Sequence, residues 1–133
     1  MVILGVGFGG MSAAKELERE DVDVVVIDKN NHHTFLPLLY QVATSGLNPA
    51  DVAYPARGLF RRGRRVRFRQ GTVIGVDWQD KRVLLAGEDP LPFDHLIVGI
   101  GAQENYFGVP GAAEHTFPLY SMSDALQVRN HLL

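Results

Sequence analysis

Two apolar stretches enclose an amphipathic one near the start of the chain, a pattern typical of parallel α/β proteins. Residues 2–5 are apolar throughout, and residues 22–27 are rich in β-branched side chains. Runs of this kind predict strands of a parallel sheet that is covered on both faces. Between them, residues 8–20 place Ala14 and Leu17 on one helical face and most charged side chains on others. The pattern predicts a strand, a helix and a second strand joined by a right-handed crossover.

The segment that follows has no clean period. Residues 29–48 mix polar and apolar side chains, which predicts an ordered loop that contains a short helix. Asn48 and Pro49 have the order of an N-cap and a first helical residue, so a helix is predicted from 49 to about 60. Pro55 would shorten or kink that helix, because proline removes a backbone hydrogen bond.

Alternation of apolar and polar positions dominates the next stretch. Residues 72–95 contain two alternating runs, with turn residues at Gln79–Asp80 and at 88–90, and they predict an antiparallel meander. Residues 96–100 are again continuously apolar, so this strand is predicted to rejoin the parallel sheet and to end at Gly101. The fold class that follows is α/β, with a parallel sheet and an antiparallel meander.

A basic run and a last helix complete the pattern. Six arginines lie between residues 61 and 69, ahead of and within a predicted strand at 66–68. They form either a patch for phosphate groups or anionic lipid, or a solvated loop that enters the strand. The solvated loop is favoured, because the run is short and the whole chain is slightly acidic.

Ser123 with Asp124 is typical of an N-cap and predicts a helix that runs to Leu133.

Size and composition narrow the class of protein. The 133 residues suffice for one domain, and a hydrophobic content of 46% is typical of globular proteins. A net charge of −2 argues against a general nucleic-acid or membrane-surface binder. No stretch is long and apolar enough to span a bilayer, and a signal peptide is not expected. The chain has no cysteine, which excludes disulfides, thiolate metal sites and a redox-active cysteine pair within it.

The first turn carries the candidate chemistry. Gly5, Gly7 and Gly10 form the pattern G-x-G-x-x-G between the first predicted strand and the first predicted helix. In that pattern the first glycine permits the tight turn, the second lets the backbone approach a pyrophosphate, and the third lets helix and strand pack closely. The helix N-terminus then offers free N–H groups and a positive dipole end to the phosphates. The alternative is a glycine-rich turn without a ligand.

An acidic residue supports the dinucleotide interpretation. Asp28 follows the second predicted strand directly, where the dinucleotide fingerprint places a carboxylate that binds a ribose hydroxyl. A carboxylate there would also repel a 2′-phosphate. The loop itself does not separate FAD from NAD. A simple NAD domain would continue with a crossover helix and a third parallel strand, whereas here a long loop, a helix and a meander follow.

Four segments cover nearly the whole chain and carry a resemblance to a known family. They read VILGVGFGGMSAAKELE, VDVVVIDKNNHHTFLPLLYQVATSGLNPADVAYPAR, QGTVIGVD and FDHLIVGIGAQENYFGVPG, and the most specific part is NHHTFLPLLYQVATSGLNPAD. Together they resemble the N-terminal part of type II NADH dehydrogenases, the single-subunit, non-proton-pumping NADH:quinone oxidoreductases that carry FAD. The resemblance implies a Rossmann-like FAD-binding domain of which residues 1–133 are the incomplete, N-terminal part.

The resemblance also implies which residues bind FAD. The pyrophosphate would lie on the first glycine loop, the adenosine ribose on the end of the second strand, and the adenine on one backbone group of the meander. A second glycine signature, Gly99-Ile100-Gly101, would form a turn with isoleucine in place of the usual threonine, and Pro37–Gln41 would lie on the flavin side. The implied FAD-binding residues are Gly5, Gly7, Phe8, Gly9, Gly10, Asp28, Lys29, Val73 and Gly101.

The same resemblance implies the activity and the partners. The parent protein would pass a hydride from NADH to FAD and electrons on to a quinone. It would be a peripheral protein on the cytoplasmic face of the inner membrane, with a homodimer as one compatible assembly. The second glycine loop for NADH, a later segment that completes the FAD site and the C-terminal membrane region do not occur in these residues. We therefore expect this chain alone to be a fragment that binds FAD weakly at most and does not turn over NADH. No nucleic-acid partner is expected.

Other functions stay open at this point. Another FAD-dependent reductase of the same architecture, such as a sulfide:quinone or a ferredoxin or rubredoxin reductase, would share the glycine loop, as would a non-catalytic nucleotide-binding module. The flavin would do the chemistry, so no residue is assigned as catalytic.

His32 and His33 would point in opposite directions along an extended segment, and without cysteines they do not predict a metal site. Trp78 and Phe93 are interpreted as packing residues.

Overall fold

The computed structural model describes residues 1–60 and 65–133, and it divides them into two compact units. Unit 1 contains residues 1–33 and 55–101, and unit 2 contains residues 34–54 and 102–133. In chain order the elements are β1 (Val2–Leu4), α1 (Phe8–Leu17), β2 (Val24–Asp28), β3 (His32–Thr34), a 3-10 helix (Leu36–Leu38), α2 (Leu39–Ala43), α3 (Pro49–Val52), β4 (Ala53–Pro55), α4 (Ala56–Leu59), β5 (Val66–Gln70), β6 (Val73–Asp77), β7 (Arg82–Leu85), β8 (Glu88–Pro92), β9 (Leu96–Val98), α5 (Ala112–His115) and α6 (Met122–Leu132).

A four-stranded parallel sheet forms the centre of unit 1, with the strand order β5-β2-β1-β9. Ile3 of β1 is aligned with Val26 of β2 on one side and with Ile97 of β9 on the other. The predicted strand–helix–strand unit and the return of the last strand to the parallel sheet are confirmed. The strands start or end up to two residues away from the predicted positions, and α1 ends at Leu17, before the predicted residue 20.

Both faces of this sheet are covered, which explains why its central strands are apolar throughout. Ile3 and Val26 face a buried cluster that also contains Ala14 of α1. The neighbouring residues Val2 and Leu4 face a second cluster on the opposite side, completed by side chains of the meander. Alternate residues of one strand therefore enter two different hydrophobic clusters, as expected for a buried parallel strand.

The predicted meander is present as β6, β7 and β8, which form a three-stranded antiparallel sheet. The turn predicted at 88–90 is wrong, because these residues belong to β8 and the chain turns at Ala86–Gly87. Proline is tolerated in β8, since it is an edge strand of its sheet. Phe93 packs against the second cluster, and its ring lies 6.5 Å from that of Trp78, which supports the packing interpretation.

The single helix predicted from 49 to about 60 is wrong beyond its first turn. Asn48 and Pro49 do begin a helix, with a capping box between Asn48 and Asp51, but α3 ends at Val52. The strand β4 and the short helix α4 follow. The physical reason is Pro55, which disfavours helical geometry in the residue before it and cannot donate a backbone hydrogen bond.

The long segment 29–48 contains the predicted short helix, α2, and a strand that its pattern did not reveal. This strand, β3, pairs with β4 in a two-stranded sheet. Burial alternates along it, since His33 is buried and its two neighbours are half-buried. The prediction that His32 and His33 point in opposite directions is therefore confirmed.

Helices α2 and α6 pack together in unit 2 around Leu39, Val42 and Ala125, all of them buried. The last helix was predicted with Ser123 as its cap, and this is wrong by two residues. Ser121 is the N-cap: its hydroxyl accepts a hydrogen bond from the Asp124 N–H at 3.2 Å, while the Asp124 carboxylate accepts one from the Ser121 N–H at 2.8 Å.

Replacing Ser121 by alanine is expected to lower the free energy of unfolding by about 1 kcal/mol, because the cap bond to Asp124 is lost. Ser123→Ala is the matched control, since Ser123 lies inside α6, where alanine is the better helix former. Urea unfolding followed by circular dichroism measures both. An equal loss in the two variants would contradict the assignment of Ser121 as the cap.

The arginine run lies partly outside the described residues, which exclude 61–64. The two charged contacts that the structure gives within the run are ion pairs of Arg65 with Asp21 and of Arg69 with Glu88. Both arginines are partly solvent-exposed, so each pair contributes little to stability. Within residues 1–60 and 65–133, no helix combines the length and the apolar character needed to cross a bilayer.

Candidate dinucleotide-binding site

The glycine loop lies at the carboxyl end of β1, where the chain turns into α1. Gly7 is the N-cap of α1, and among the described residues no side chain caps this helix. Its first turn contains no acidic residue. The first N–H groups of a helix have no partner within the helix, and the helix dipole places partial positive charge there. This end of α1 therefore favours a negatively charged group.

Two glycines of the loop are required by the protein itself. Gly5 has a φ of +96°, and a side chain there would overlap the carbonyl oxygen of Gly99. A side chain at Gly10 would overlap the carbonyl oxygen of Gly5. The loop, α1 and the residue after β9 thus meet backbone to backbone, in agreement with the turn role of the first glycine and the packing role of the third.

Gly7 and Gly9 differ from these two, because an added Cβ would have no atom within 4 Å. Gly7 also has an ordinary backbone conformation, with φ −66° and ψ −172°. Neither space nor backbone geometry in the protein requires glycine at position 7. Glycine here suits the N-cap position, and it would also let a ligand approach the backbone closely.

Asp28 connects the end of β2 to the loop. Its Oδ2 accepts a hydrogen bond from the Val6 N–H at 2.8 Å, and its Oδ1 accepts one from the Asn30 N–H at 2.8 Å. The N–H of Gly5 also donates to the Ile27 carbonyl at 2.7 Å. Each carboxylate oxygen keeps a second lone pair, so Asp28 can hold the loop and still accept a ligand hydroxyl.

Lys29 and Val73 lie near the same strand end. The Lys29 carbonyl accepts a hydrogen bond from Gln70 Nε2 at 3.1 Å, and the Gly71 N–H donates to the Asp28 carbonyl at 2.9 Å. The chain that leads into β6 therefore passes beside Asp28. Val73 packs its side chain against the cluster that contains Ile27.

The second glycine signature contacts the glycine loop through Gly99, which is not one of the nine predicted FAD-binding residues. Gly99 donates its N–H to the Leu4 carbonyl at 2.8 Å, and an added Cβ would lie 3.3 Å from the Gly10 nitrogen. Gly101 has a φ of +79° and an exposed surface, with no atom within 4 Å of an added Cβ. Ile100 is 72% exposed. The backbone contact therefore belongs to Gly99, while Gly101 has a left-handed backbone conformation.

His33 is a further residue beside the loop. Its Nδ1 lies 2.8 Å from the Val6 carbonyl oxygen, and its ring meets that of Phe8 edge to face with 5.0 Å between centroids. The side chain is only 7% exposed. The pattern of residues along the sequence could not predict these contacts of His33, because Phe8 and Val6 are 25 and 27 positions away in the chain.

Pro37–Gln41, predicted to lie on the flavin side, belongs to unit 2, whereas all nine predicted FAD-binding residues belong to unit 1. The stretch forms the end of the 3-10 helix and the start of α2. Leu39 is buried, while Tyr40 is 53% exposed. In the part of the chain that the structure describes, no three His, Asp or Glu side chains are grouped to hold a metal ion.

Comparison with known sequences shows one family over the whole chain. The model of the pyridine nucleotide-disulphide oxidoreductase family matches residues 1–133. The type II NADH:quinone oxidoreductase Ndh of Mycobacterium tuberculosis is 42% identical over 136 residues, which cover all of this chain and 29% of that protein. The external alternative NADH-ubiquinone oxidoreductase of Yarrowia lipolytica mitochondria is 28% identical over 144 residues, 25% of its length. The chain thus spans less than a third of these relatives.

Solved structures agree with the predicted fold. NDH2 from Plasmodium falciparum, solved in complex with NADH, superposes with a TM-score of 0.85 at 26% identity, over 96% of this chain and 27% of that one. The sulfide:quinone oxidoreductase of Aquifex aeolicus gives a TM-score of 0.88 at 21% identity, over 98% of this chain and 30% of that one. At 21% identity, the similarity to the sulfide:quinone oxidoreductase shows the fold alone. The Rossmann-like α/β prediction is confirmed.

Proposed function

Because the chain belongs to the pyridine nucleotide-disulphide oxidoreductase family, we propose that residues 1–133 supply the nucleotide-binding part of an FAD enzyme. Family membership implies a flavin and a pyridine nucleotide, and FAD is the finer assignment proposed here. The parent enzyme passes a hydride from NADH to FAD and electrons on to a quinone. Its substrates are proposed from relatives that are named NADH:quinone oxidoreductases.

The observation that carries this proposal is the open space at Gly7 and Gly9, beside a helix end that no side chain of the described residues caps. The protein itself explains Gly5 and Gly10 through backbone contacts but gives no such reason for Gly7. A pyrophosphate explains both features at once, because it needs close backbone approach and carries the negative charge that a helix N-terminus favours.

Each proposed residue has a physical role toward FAD. The backbone from Gly7 to Gly10 would bind the pyrophosphate, and Asp28 with Lys29 would bind the adenosine ribose. The backbone at Val73 would meet the adenine, and Gly101 would form the turn of the second signature. When bound, the flavin would accept the hydride and release electrons, while this chain fixes the adenosine half of the cofactor.

The cellular location and the oligomeric state of the parent enzyme belong to the same proposal. As in type II NADH dehydrogenases, the parent would act in a respiratory chain as a peripheral protein on the cytoplasmic face of the inner membrane, with a homodimer as one compatible assembly. Residues 1–133 would be the N-terminal part of its FAD-binding domain. Identity to the Mycobacterium tuberculosis enzyme favours this activity over a sulfide:quinone reductase, whose likeness extends to the fold alone.

Titration of the chain with FAD, monitored by flavin fluorescence, tests the assignment of FAD as the cofactor. We expect saturable binding of one FAD per chain, with ADP as a competitor because the proposed contacts lie on the adenosine diphosphate half. Adenosine 2′,5′-bisphosphate should compete poorly, since Asp28 would repel its 2′-phosphate. A chain that binds neither FAD nor ADP would contradict the proposed function.

Asp28→Asn is expected to raise the Kd for FAD about 10- to 150-fold. The loss corresponds to about 1.5–3 kcal/mol for a hydrogen bond to a charged group. The amide can still accept from one of the two backbone N–H groups of Val6 and Asn30, so the loop keeps part of its support. Asp80→Asn makes the same change of charge at an exposed turn and should leave the Kd unchanged. Equal Kd values for the two variants would remove Asp28 from the ribose site.

A further inference from the structure

We propose that His33 is a positioning residue for the pyrophosphate site, which orients the loop through the residues on either side of Gly7, the Val6 carbonyl and the Phe8 ring. This role depends on the proposed function, because it concerns the shape of the same loop. It assigns to β3 a part in cofactor binding that no position in the glycine fingerprint specifies. His33 acts on the ligand through the backbone and is not a catalytic residue.

The hydrogen bond of His33 fixes its tautomer. Nδ1 lies 2.8 Å from the carbonyl oxygen of Val6, and a carbonyl oxygen can only accept. Nδ1 therefore carries the hydrogen and donates it to Val6. Both residues are buried, at 7% and 2% exposure, so a carbonyl left there without a donor would be costly.

The peptide groups of Val6 are held at both ends. Its N–H donates to Asp28 Oδ2 at 2.8 Å, and its carbonyl accepts from His33 at 2.8 Å. The Val6 side chain is also packed in the cluster that contains Ile3 and Ala14. Val6 therefore cannot rotate without breaking two hydrogen bonds and a buried contact.

This support matters because the next residue is the most permissive one in the loop. Gly7 has no side chain, and an added Cβ there would meet no atom within 4 Å. Its carbonyl accepts a hydrogen bond from the Met11 N–H at 2.9 Å, so its conformation depends on α1 and on its two neighbours. His33 contacts both of them: it bonds to Val6 and packs its ring against Phe8, the first residue of α1. The N–H groups beyond Gly7 are then oriented before a ligand arrives, which lowers the entropy cost of binding.

The geometry also couples the two halves of the nucleotide site. Asp28, the proposed ribose ligand, and His33 hold opposite ends of the same residue, Val6. A change at His33 should therefore weaken binding of ADP as much as binding of FAD, because both ligands contain the pyrophosphate and the ribose. Isoalloxazine contacts play no part in this effect.

Two substitutions separate the hydrogen bond from the packing of the ring. His33→Phe keeps an aromatic ring beside Phe8 but has no donor for Val6. His33→Asn loses the ring but can place an amide N–H where Nδ1 was. We expect His33→Phe to raise the Kd for FAD and for ADP about 10-fold, and His33→Asn to raise both less than about 3-fold. Fluorescence titration measures the Kd for FAD, calorimetry measures the Kd for ADP, and urea unfolding measures the free energy of unfolding of each variant.

The opposite order of the two variants would overturn the inference, since it would assign His33 a packing role only. Losses of affinity that simply follow the losses of stability would overturn it as well. If the unsubstituted chain binds FAD and His33→Phe binds equally well, the inference fails while the proposed function stands. If the unsubstituted chain binds neither FAD nor ADP, the proposed function fails and the inference with it.

Discussion

Replacing Gly7 by alanine is expected to raise the Kd for FAD up to about 150-fold while the protein stays folded. An added Cβ would have no protein atom within 4 Å, and φ of −66° suits alanine. The methyl group would instead occupy the space into which the pyrophosphate fits. Overpacking by such a group costs about 1–3 kcal/mol, which corresponds to about 5- to 150-fold in Kd.

Titration with FAD and urea unfolding together decide this prediction. The free energy of unfolding should change by less than about 1 kcal/mol, since glycine is only moderately better than alanine as an N-cap. Gly75→Ala is the matched control: an added Cβ would lie 3.5 Å from a Leu84 methyl group, an ordinary contact far from the loop in sequence. Unchanged FAD affinity in Gly7→Ala would show that no ligand approaches the backbone there.

Gly10→Ala should have the opposite signature, a loss of folding and not only of binding. The added Cβ would overlap the carbonyl oxygen of Gly5, a backbone atom held in place by β1 and the loop. Helix α1 would have to move away from the sheet, which uncovers the cluster around Ile3 and Ala14. We expect the free energy of unfolding to fall by about 3–5 kcal/mol, in the upper range for single substitutions.

Gly9→Ala is the control for that measurement, because it adds the same atom to the adjacent helical residue, where nothing lies within 4 Å. It should stabilise the protein by about 0.5–1 kcal/mol through helix propensity. Thermal and urea unfolding of both variants measure the difference. Equal stability of Gly10→Ala and Gly9→Ala would contradict the close approach of helix and loop.

Much of unit 1 could be predicted because its signals are local. Continuous apolar runs identified β1 and β2, and the glycine spacing identified the turn into α1. The strand β8 was missed, since its sequence EDPLP is typical of a turn and it forms a strand only by pairing with β7. The helix predicted from 49 to about 60 failed at Pro55, whose effect on the preceding residue outweighed the good N-terminal signal at Asn48.

The candidate site was predictable in part for the same reason. Asp28 could be placed near the loop because the fingerprint fixes its position after the second strand, and its Oδ2 accepts a hydrogen bond from the Val6 N–H. Its role toward a ribose stays a prediction. Gly99 and His33 reach the loop only through the folded chain, from about 90 and 27 positions away. Contacts of that kind leave no periodic signal in the sequence, so they require the structure.

Amide NMR spectra of the isotope-labelled chain during titration with FAD test the central claim most directly, because they locate the ligand on the backbone. The N–H signals of Gly7, Phe8, Gly9 and Gly10 are predicted to shift together and to saturate, and ADP should shift the same signals. Asp28 and its neighbours should follow the same curve. Signals of the loop that stay in place at high FAD concentration would contradict a dinucleotide site at the start of α1.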